Sequence, residues 1–356
     1  MKQHMATINL ATKYSNKIDE KFTLSSRVKG NTSNDYELTG VKSVRIYTPV
    51  TQELADYTRS GTSRYGAPKE MEDTIQELTM TQDKAFSITI DKGNYNEQQM
   101  VKKAGRMMAM EMDEQVVPTI DKYALNRYCE LAGQNAALSS APTKSSIVGN
   151  LFDCAAAMDN KLVPADSRVL YIKSTYYNLL RQSSEFLAVD NLAAKALTKG
   201  VVGEAADMTI VKVPDSYLPE NVYFLATYKR SVILTQKIRD SKLHTDPPGI
   251  SGALLEGRFN YDAFVLSAKA DGVYVAAASA GICAAPTIAI SSNVATITNN
   301  ASGSTVKYTT DGSDPRYSAT ANVYTATVTL TSGQTIKACS VKSGMIQSSV
   351  AEKKNA

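Results

Sequence analysis

The sequence predicts an α+β body of some 284 residues followed by a small all-β sandwich. Three observations point there. A long helical pattern with a methionine stripe runs over about residues 96–134. Between about residues 145 and 280, short helical and extended segments alternate without the regular βαβ rhythm of a doubly wound sheet. After Pro286, Thr, Ser, Val and Ala dominate and helical periodicity vanishes.

Residues 1–40 are polar and mixed, with few periodic apolar positions, and read as an extended arm that needs a neighbour to order it. Residues 41–92 read as one long β-hairpin. Val41, Val44, Ile46 and Val50 supply its outgoing side. The Gly-, Ser- and Pro-rich run Arg59–Pro68 supplies the loop. Ile75, Leu78, Met80, Phe86, Ile88 and Ile90 supply the return. A hairpin of this length is not stable alone in water, so it must lie on its own domain or on another subunit.

The helix after it has Asn96 as a cap and Gln99 in the capping-box position. Met100, Ala104, Met107, Met108, Met112 and Val116 share a face, and Ile120, Tyr123, Ala124, Tyr128 and Leu131 continue it past a kink expected at Pro118. The methionines read as adaptable packing, not as ligands. Further on, Ile147–Met158 reads as a helix and Arg168–Ile172 as a buried strand. Ser174 is the expected cap of a helix over Thr175–Arg181. Met208–Val213, Val222–Thr227 and Val232–Ile238 read as strands, and His244–Gly249 as a chain breaker. Ala280–Pro286 is a linker. Beyond it, turn signals recur at spacings of about 8–12 residues, as in a small sandwich.

Composition excludes several classes. Lys plus Arg is 39 and Asp plus Glu is 35, a surplus of +4 that is too mild to mark the whole chain as a nucleic-acid binder. Residues 1–64 hold ten basic and six acidic side chains, so the excess sits near the start of the sequence. No apolar run follows Lys2, so no secretory signal is expected. Gly272–Pro286 is too short to span a membrane. Cys129, Cys154, Cys283 and Cys339 lie far apart without metal-ligand spacing and read as reduced thiols.

Catalytic patterns are not found. The histidines are His4, near the start, and His244, in the expected breaker; Ser241, His244 and Asp246 are close in sequence, which is not triad geometry. Gly61–Tyr65 fails as a nucleophile elbow at its last position. Gly200-Val-Val-Gly203 lacks the lysine of a phosphate loop and reads as a plain turn. Asp311 and Asp314 are too few for calcium, so a hairpin-type turn on Asp311-Gly312 is expected. No catalytic residue, cofactor or metal is expected, and the chain reads as a non-enzyme.

Three segments in order resemble the major capsid proteins of tailed bacteriophages. Leu162-Val-Pro-Ala-Asp-Ser-Arg-Val-Leu-Tyr-Ile-Lys-Ser-Thr-Tyr-Tyr-Asn-Leu-Leu180 is similar to that family's proline turn, buried strand and helix ending in paired leucines. Gly200–Pro219 looks like its turn and strand with a proline before the next strand. Val222–Ser231 and Val232–Ile238 look like the pair that recrosses its axial domain. The resemblance covers about 280 residues of the sequence. It implies an N-terminal arm (1–40), an extended loop (41–92), a spine helix with a peripheral domain (93–144), an axial domain (145–262) and a return to the peripheral domain (263–284). No long acidic scaffold-like extension is seen at the start. Residues 286–356 resemble a second family, the immunoglobulin-like domain of chitobiase-type enzymes, through Val306-Lys-Tyr-Thr-Thr-Asp-Gly-Ser-Asp-Pro315, Tyr324, Thr335–Ala338 and Gly344.

The capsid resemblance implies a structural protein that self-assembles into pentamers and hexamers. These would form an icosahedral head around double-stranded DNA, with assembly in the host cytoplasm. Implied partners are neighbouring subunits, scaffolding, portal and decoration proteins, packaged DNA held non-specifically on the inner face, and host-surface glycans for the outward C-terminal domain. Tyr57, Arg59, Arg64, Tyr65 and Lys69 are the expected intersubunit contacts. Met100, Met107, Met108 and Met112 are the expected spine-helix packing residues. An encapsulin-like compartment shell and a glycan-binding adhesin are the alternatives.

Overall fold

The computed structural model describes residues 25–33, 35–36, 43–51, 54, 56–62, 64–66, 70–71, 73–91, 104–183, 201–245 and 247–355. They divide into two compact units. One draws on Thr81–Ile120 and Gln236–Tyr261, the other on Arg27–Met80, Asp121–Thr235 and Asp262–Ala356.

In chain order the elements are β1 (Ser43–Pro49), β2 (Asp73–Thr79), β3 (Gln82–Asp91), α1 (Ala104–Glu111), α2 (Val117–Glu130), β4 (Gln134–Leu138), α3 (Ile147–Asn160), β5 (Arg168–Lys173) and α4 (Ser174–Arg181). Then follow β6 (Val201–Ala205), β7 (Met208–Val213), β8 (Val222–Tyr228), β9 (Val232–Thr245), β10 (Gly252–Val265) and β11 (Val273–Ala278). The last region holds β12 (Thr287–Ser291), β13 (Val294–Thr298), β14 (Thr305–Thr309), β15 (Asn322–Val323), β16 (Val328–Thr329), β17 (Thr335–Val341) and β18 (Ala351–Lys354).

The larger unit is built on a six-stranded mixed sheet in the order β4-β11-β8-β5-β7-β6. Its central strands are apolar at consecutive positions because both faces are covered. Every residue of β5 and β8 is buried. Alternate side chains serve opposite faces. Val169, Tyr171, Leu225 and Val275 join a core with Ala124, Leu125 and Tyr128 of α2. Leu170, Ile172, Phe224 and Ala276 join a second core with Ile147, Leu151 and Met158 of α3 and Leu180 of α4.

Arg168 begins β5 with its side chain fully buried. Its guanidinium donates to Asp159 Oδ1 at 2.6 Å, to Pro164 O at 2.9 Å and to Val163 O, tying the turn after α3 to the sheet. That turn holds Leu162 at φ +57°, a left-handed conformation costly for a branched residue. All four cysteines are buried and free. Burial pushes the Cys339 thiol up to about 12 and raises Cys129, Cys154 and Cys283 as well.

Several sequence expectations are corrected. The hairpin pairs β1 with β2, from Ser43↔Thr79 to Pro49↔Asp73, but Phe86, Ile88 and Ile90 do not continue it. They lie in β3, which pairs with β10 in a separate three-stranded sheet, β3-β10-β9. Local alternation marks a strand without naming its partner. Gly257 lies under Phe86, where a Cβ would come within 2.4 Å of the ring; its absence lets Phe86 stack on Phe259. His244 is not in a breaker: β9 runs through it, and Nε2 lies 3.2 Å from Glu256 on β10.

Described residues of the expected free arm pack on their own chain. Val28 is fully buried, Arg27 N–H donates to Asp121 at 2.6 Å, and Ser33 N–H donates to Val232 O. The expected cap residues Asn96 and Gln99 lie outside the described residues. Before Pro118 the helix makes one wide π turn, Met112–Val116, in which Val117 N–H reaches back to Met112 O. A proline has no N–H to donate and crowds the preceding turn, so the break expected at Pro118 is taken up there. Helix α2 ends at Glu130, short of the expected 134. At Gly133 an added Cβ would lie 2.1 Å from Ala270 O, and the chain turns into β4. Ser174 does not cap α4. Its hydroxyl donates to Val213 O, and Asp215 instead accepts the Thr175 N–H at 3.2 Å.

Two predictions follow from the core. Arg168→Ala should lower stability to denaturant by about 3 kcal/mol, the loss of several charge-assisted bonds in a buried site. At pH 8 the folded chain should leave all four thiols unreacted with a disulfide reagent for hours, and they should titrate within minutes in denaturant.

Candidate assembly surfaces

The hairpin is anchored at its root and bare at its tip. At the root, Leu78 packs with Ile233, Phe264 and Leu266. The buried Gln76 side chain joins two backbone groups at once: its amide donates to Val265 O at 2.8 Å and its carbonyl accepts the Ser267 N–H at 2.8 Å. Arg45 and Glu77 pair across the strands at 3.3 Å. Beyond Pro49, Leu54 and Tyr65 are almost wholly exposed, and Tyr57 and Met71 are more than half exposed. The tip has local order of its own. Thr58 N–H donates to Arg64 O at 3.0 Å, Arg64 Nε donates to Gly61 O, and the Tyr57 and Tyr65 rings meet edge to face at 5.1 Å. Gly61 and Gly66 take φ of +94° and +82°, which suits glycine in so tight a turn.

The structure therefore brings Tyr57, Arg59, Arg64 and Tyr65 onto one exposed loop, and Lys69 lies outside the described residues. Leu54 and Met71, not singled out from sequence, share that loop. Of the spine methionines, Met107, Met108 and Met112 are half-buried along the helix, and Met100 lies outside the described residues. Phe152 on α3 and Leu162 in the turn after it are also exposed.

The residues after Pro286 form a sandwich of two sheets, β12-β13-β16 and β15-β14-β17-β18. Ile288, Ile297, Val306, Leu330 and Ile336 fill it. The Asp311-Gly312 turn forms as expected, with Gly312 at φ +80° and Asp311 accepting the Ser313 N–H and the Thr320 hydroxyl; these bonds hold its carboxyl below the usual range against the opposing effect of burial. The next residues were missed as functional. Arg316 is held by Asp314 (Nη2–Oδ2 2.7 Å), and its Nη1 donates to Gly133 O at 2.7 Å and Ala132 O at 3.3 Å. Tyr317 Oη donates to Leu131 O at 2.7 Å. No signal in the local sequence names acceptors that lie some 180 residues away.

Among the described residues no cluster of His, Cys, Asp and Glu is arranged to hold a metal ion, and no helix is long and apolar enough to cross a membrane. Leu54, Tyr57, Tyr65 and Met71, exposed apolar groups of the hairpin, lie on its loop.

Comparison with known proteins bears on the fold. The family described as "Fn3 associated" matches residues 295–354. No curated protein matches the chain. A solved structure from Mycobacterium phage Che8 is 19% identical, with a TM-score of 0.58, covering 76% of this chain and 98% of that one. The capsid structure of cyanophage P-SCSP1u is 14% identical, with a TM-score of 0.59, covering 75% and 92%. The mature-capsid asymmetric unit of bacteriophage PhiM1 is 12% identical, with a TM-score of 0.59, covering 76% and 92%. At these identities the likeness is one of fold: the chain carries the α+β fold of phage capsid proteins, followed by an Fn3-associated β-sandwich.

Proposed function

We propose that this chain is the major capsid protein of a tailed phage, a structural protein with no enzymatic role. The observation that carries the reading is the hairpin, fixed at its root by Gln76 and Leu78 and presenting exposed Leu54, Tyr57, Tyr65 and Met71 at its tip. A soluble monomer gains nothing from such a tip, and a subunit that must cover a neighbour does. The capsid fold of the structural neighbours supports the same reading.

In this reading Tyr57, Arg59, Arg64, Tyr65 and Lys69 contact the adjacent subunit, and the tip closes pentamers and hexamers through repeated heterologous contacts. Rings of both sizes then build a closed icosahedral shell around double-stranded DNA in the host cytoplasm. DNA meets the inner face without sequence readout, through non-specific attraction to basic side chains. Scaffolding, portal and decoration proteins are the expected accessory partners. The half-buried methionines Met107, Met108 and Met112, with Met100, give the spine helix a face that repacks without loss of contact as subunits shift. The C-terminal domain sits on the outer surface, where glycans of a host are within its reach.

Sedimentation followed by negative-stain electron microscopy tests the assembly. Closed shells or capsomer-sized rings are expected; a chain that stays monomeric with a scaffold protein supplied would end the reading. Tyr57→Ala with Tyr65→Ala should leave the melting temperature of the unassembled subunit within a degree or two. It should also raise the concentration needed for assembly by about tenfold, as for exposed aromatic anchors of an interface.

A further inference from the structure

The Fn3-associated domain is joined to the rest of the larger unit by much more than its linker. An α-helix exits with carbonyls that lack helical donors and with a partial negative charge. At Glu130, the last residue of α2, and at the three residues after it, four consecutive carbonyls are taken by the domain. Glu130 O accepts the Gln347 N–H at 3.2 Å and Leu131 O accepts the Tyr317 hydroxyl. Ala132 O and Gly133 O accept the Arg316 guanidinium. A cation is the favoured group at that end. Arg316 is itself oriented by the Asp314 carboxylate, and its guanidinium lies over the Tyr317 ring at 5.3 Å.

The same loop reaches a second element. Ala319 N–H donates to Ile75 O at 2.9 Å, and Ser318 pairs antiparallel with Gln76. Thus residues 314–319 touch both the exit of α2 and strand β2 at the root of the hairpin. A third seam lies at the linker. Ile282 pairs with Ile346, with Cys283 N–H on Ile346 O at 2.9 Å and Ile346 N–H on Gly281 O at 3.0 Å, and Asn135 Nδ2 donates to Gln347 O. Tyr317 and Ile346 are buried in the same core as Leu131, Ala132 and Val275.

We propose that the domain has a function beyond display: it is an intrachain brace that locks the root of the extended hairpin to the end of α2. The hairpin root is then held on two sides, by the Gln76 side chain on the Val265 and Ser267 backbone and by the Ile75 carbonyl on Ala319. The domain's own composition fits a brace better than a sugar-binding head. Its three tyrosines, Tyr308, Tyr317 and Tyr324, are buried or half-buried, with Tyr308 against Tyr324 and Tyr317 in the core, so none of them forms an open stacking platform.

The test uses the full chain carrying Ile75→Cys and Ala319→Cys. Facing residues of an antiparallel pair have Cα atoms about 5.5 Å apart, within the range a disulfide spans. The native thiols are buried and do not compete. The expected result, on a non-reducing gel under mild oxidation, is a monomer band of altered mobility with the 75–319 disulfide confirmed by peptide mapping, in unassembled subunits and in particles alike. A ladder of linked chains would overturn the proposal in favour of a domain that grips a neighbour's hairpin. A folded chain with no disulfide would overturn it outright. Because the disulfide is read on unassembled subunits, this result is independent of whether shells form.

Amide exchange on full-length Arg316→Ala is the second measurement. Exchange should accelerate about tenfold at residues 73–79, 319 and 347, while β12 and β13 keep their protection. Unchanged exchange at 73–79 would reduce the domain to a helix cap and sink the brace. If that variant fails to fold, the cysteine pair still decides.

Discussion

A sheet whose strands are apolar on both faces is stable only between two layers, and most of this chain's order follows from supplying them. One cover comes from α3 and α4, close in sequence to β5. The other comes from α2, assisted by Val28 from the start of the larger unit and by Tyr317 and Ile346 from its far end. The second layer is therefore assembled from three distant parts of the sequence. Apolar burial is worth about 25 cal/mol for each Å² removed from water. That return is collected on the second face only when all three parts are in place.

Polar groups fix how those layers register. Arg168 ties the α3 exit to β5, Asp215 reaches 40 residues back to the start of α4, and Gln76 joins the hairpin to the backbone at Val265 and Ser267. The Asp215 bond lies at the surface, while Arg168 and Gln76 satisfy backbone groups that burial would otherwise leave unpaired, at a cost of about 1–3 kcal/mol apiece. Asp262 does the same on a smaller scale, accepting from the Tyr123 hydroxyl and from the Ala263 N–H.

What was legible in the sequence is what local pattern decides. β5 and β8 are continuous apolar runs, α3 has helical spacing, and the composition shift after Pro286 marks the sandwich. What was not legible depends on distant partners. β4, Gln134-Asn-Ala-Ala-Leu138, is too polar to announce itself and is a strand because β11 lies beside it in parallel. Phe86–Ile90 alternates as a strand should, yet its neighbour is β10 and not the hairpin. Glycine, serine and proline mark the loop that carries Tyr57, Arg59, Arg64 and Tyr65, whereas their choice as contacts came from the family resemblance. Arg316 could not, because the Asp-Gly turn beside it explains the local sequence completely while its guanidinium acts on Ala132 and Gly133.

The bond between Tyr317 and Leu131 spans 186 residues, and it bears on the order of events during synthesis. A ribosome releases the helix end, the sheet and both ends of the hairpin strands well before residues 314–347 emerge. Until then the exit of α2 holds open carbonyls and the second core lacks two of its side chains. Contacts of such long separation close late and slowly. Until residues 314–319 emerge, the hairpin root is held on one side alone, by Gln76 on the Val265 and Ser267 backbone, and lacks the Ala319 bond to Ile75. The root thus gains its second anchor after its first, in the order in which the sequence leaves the ribosome.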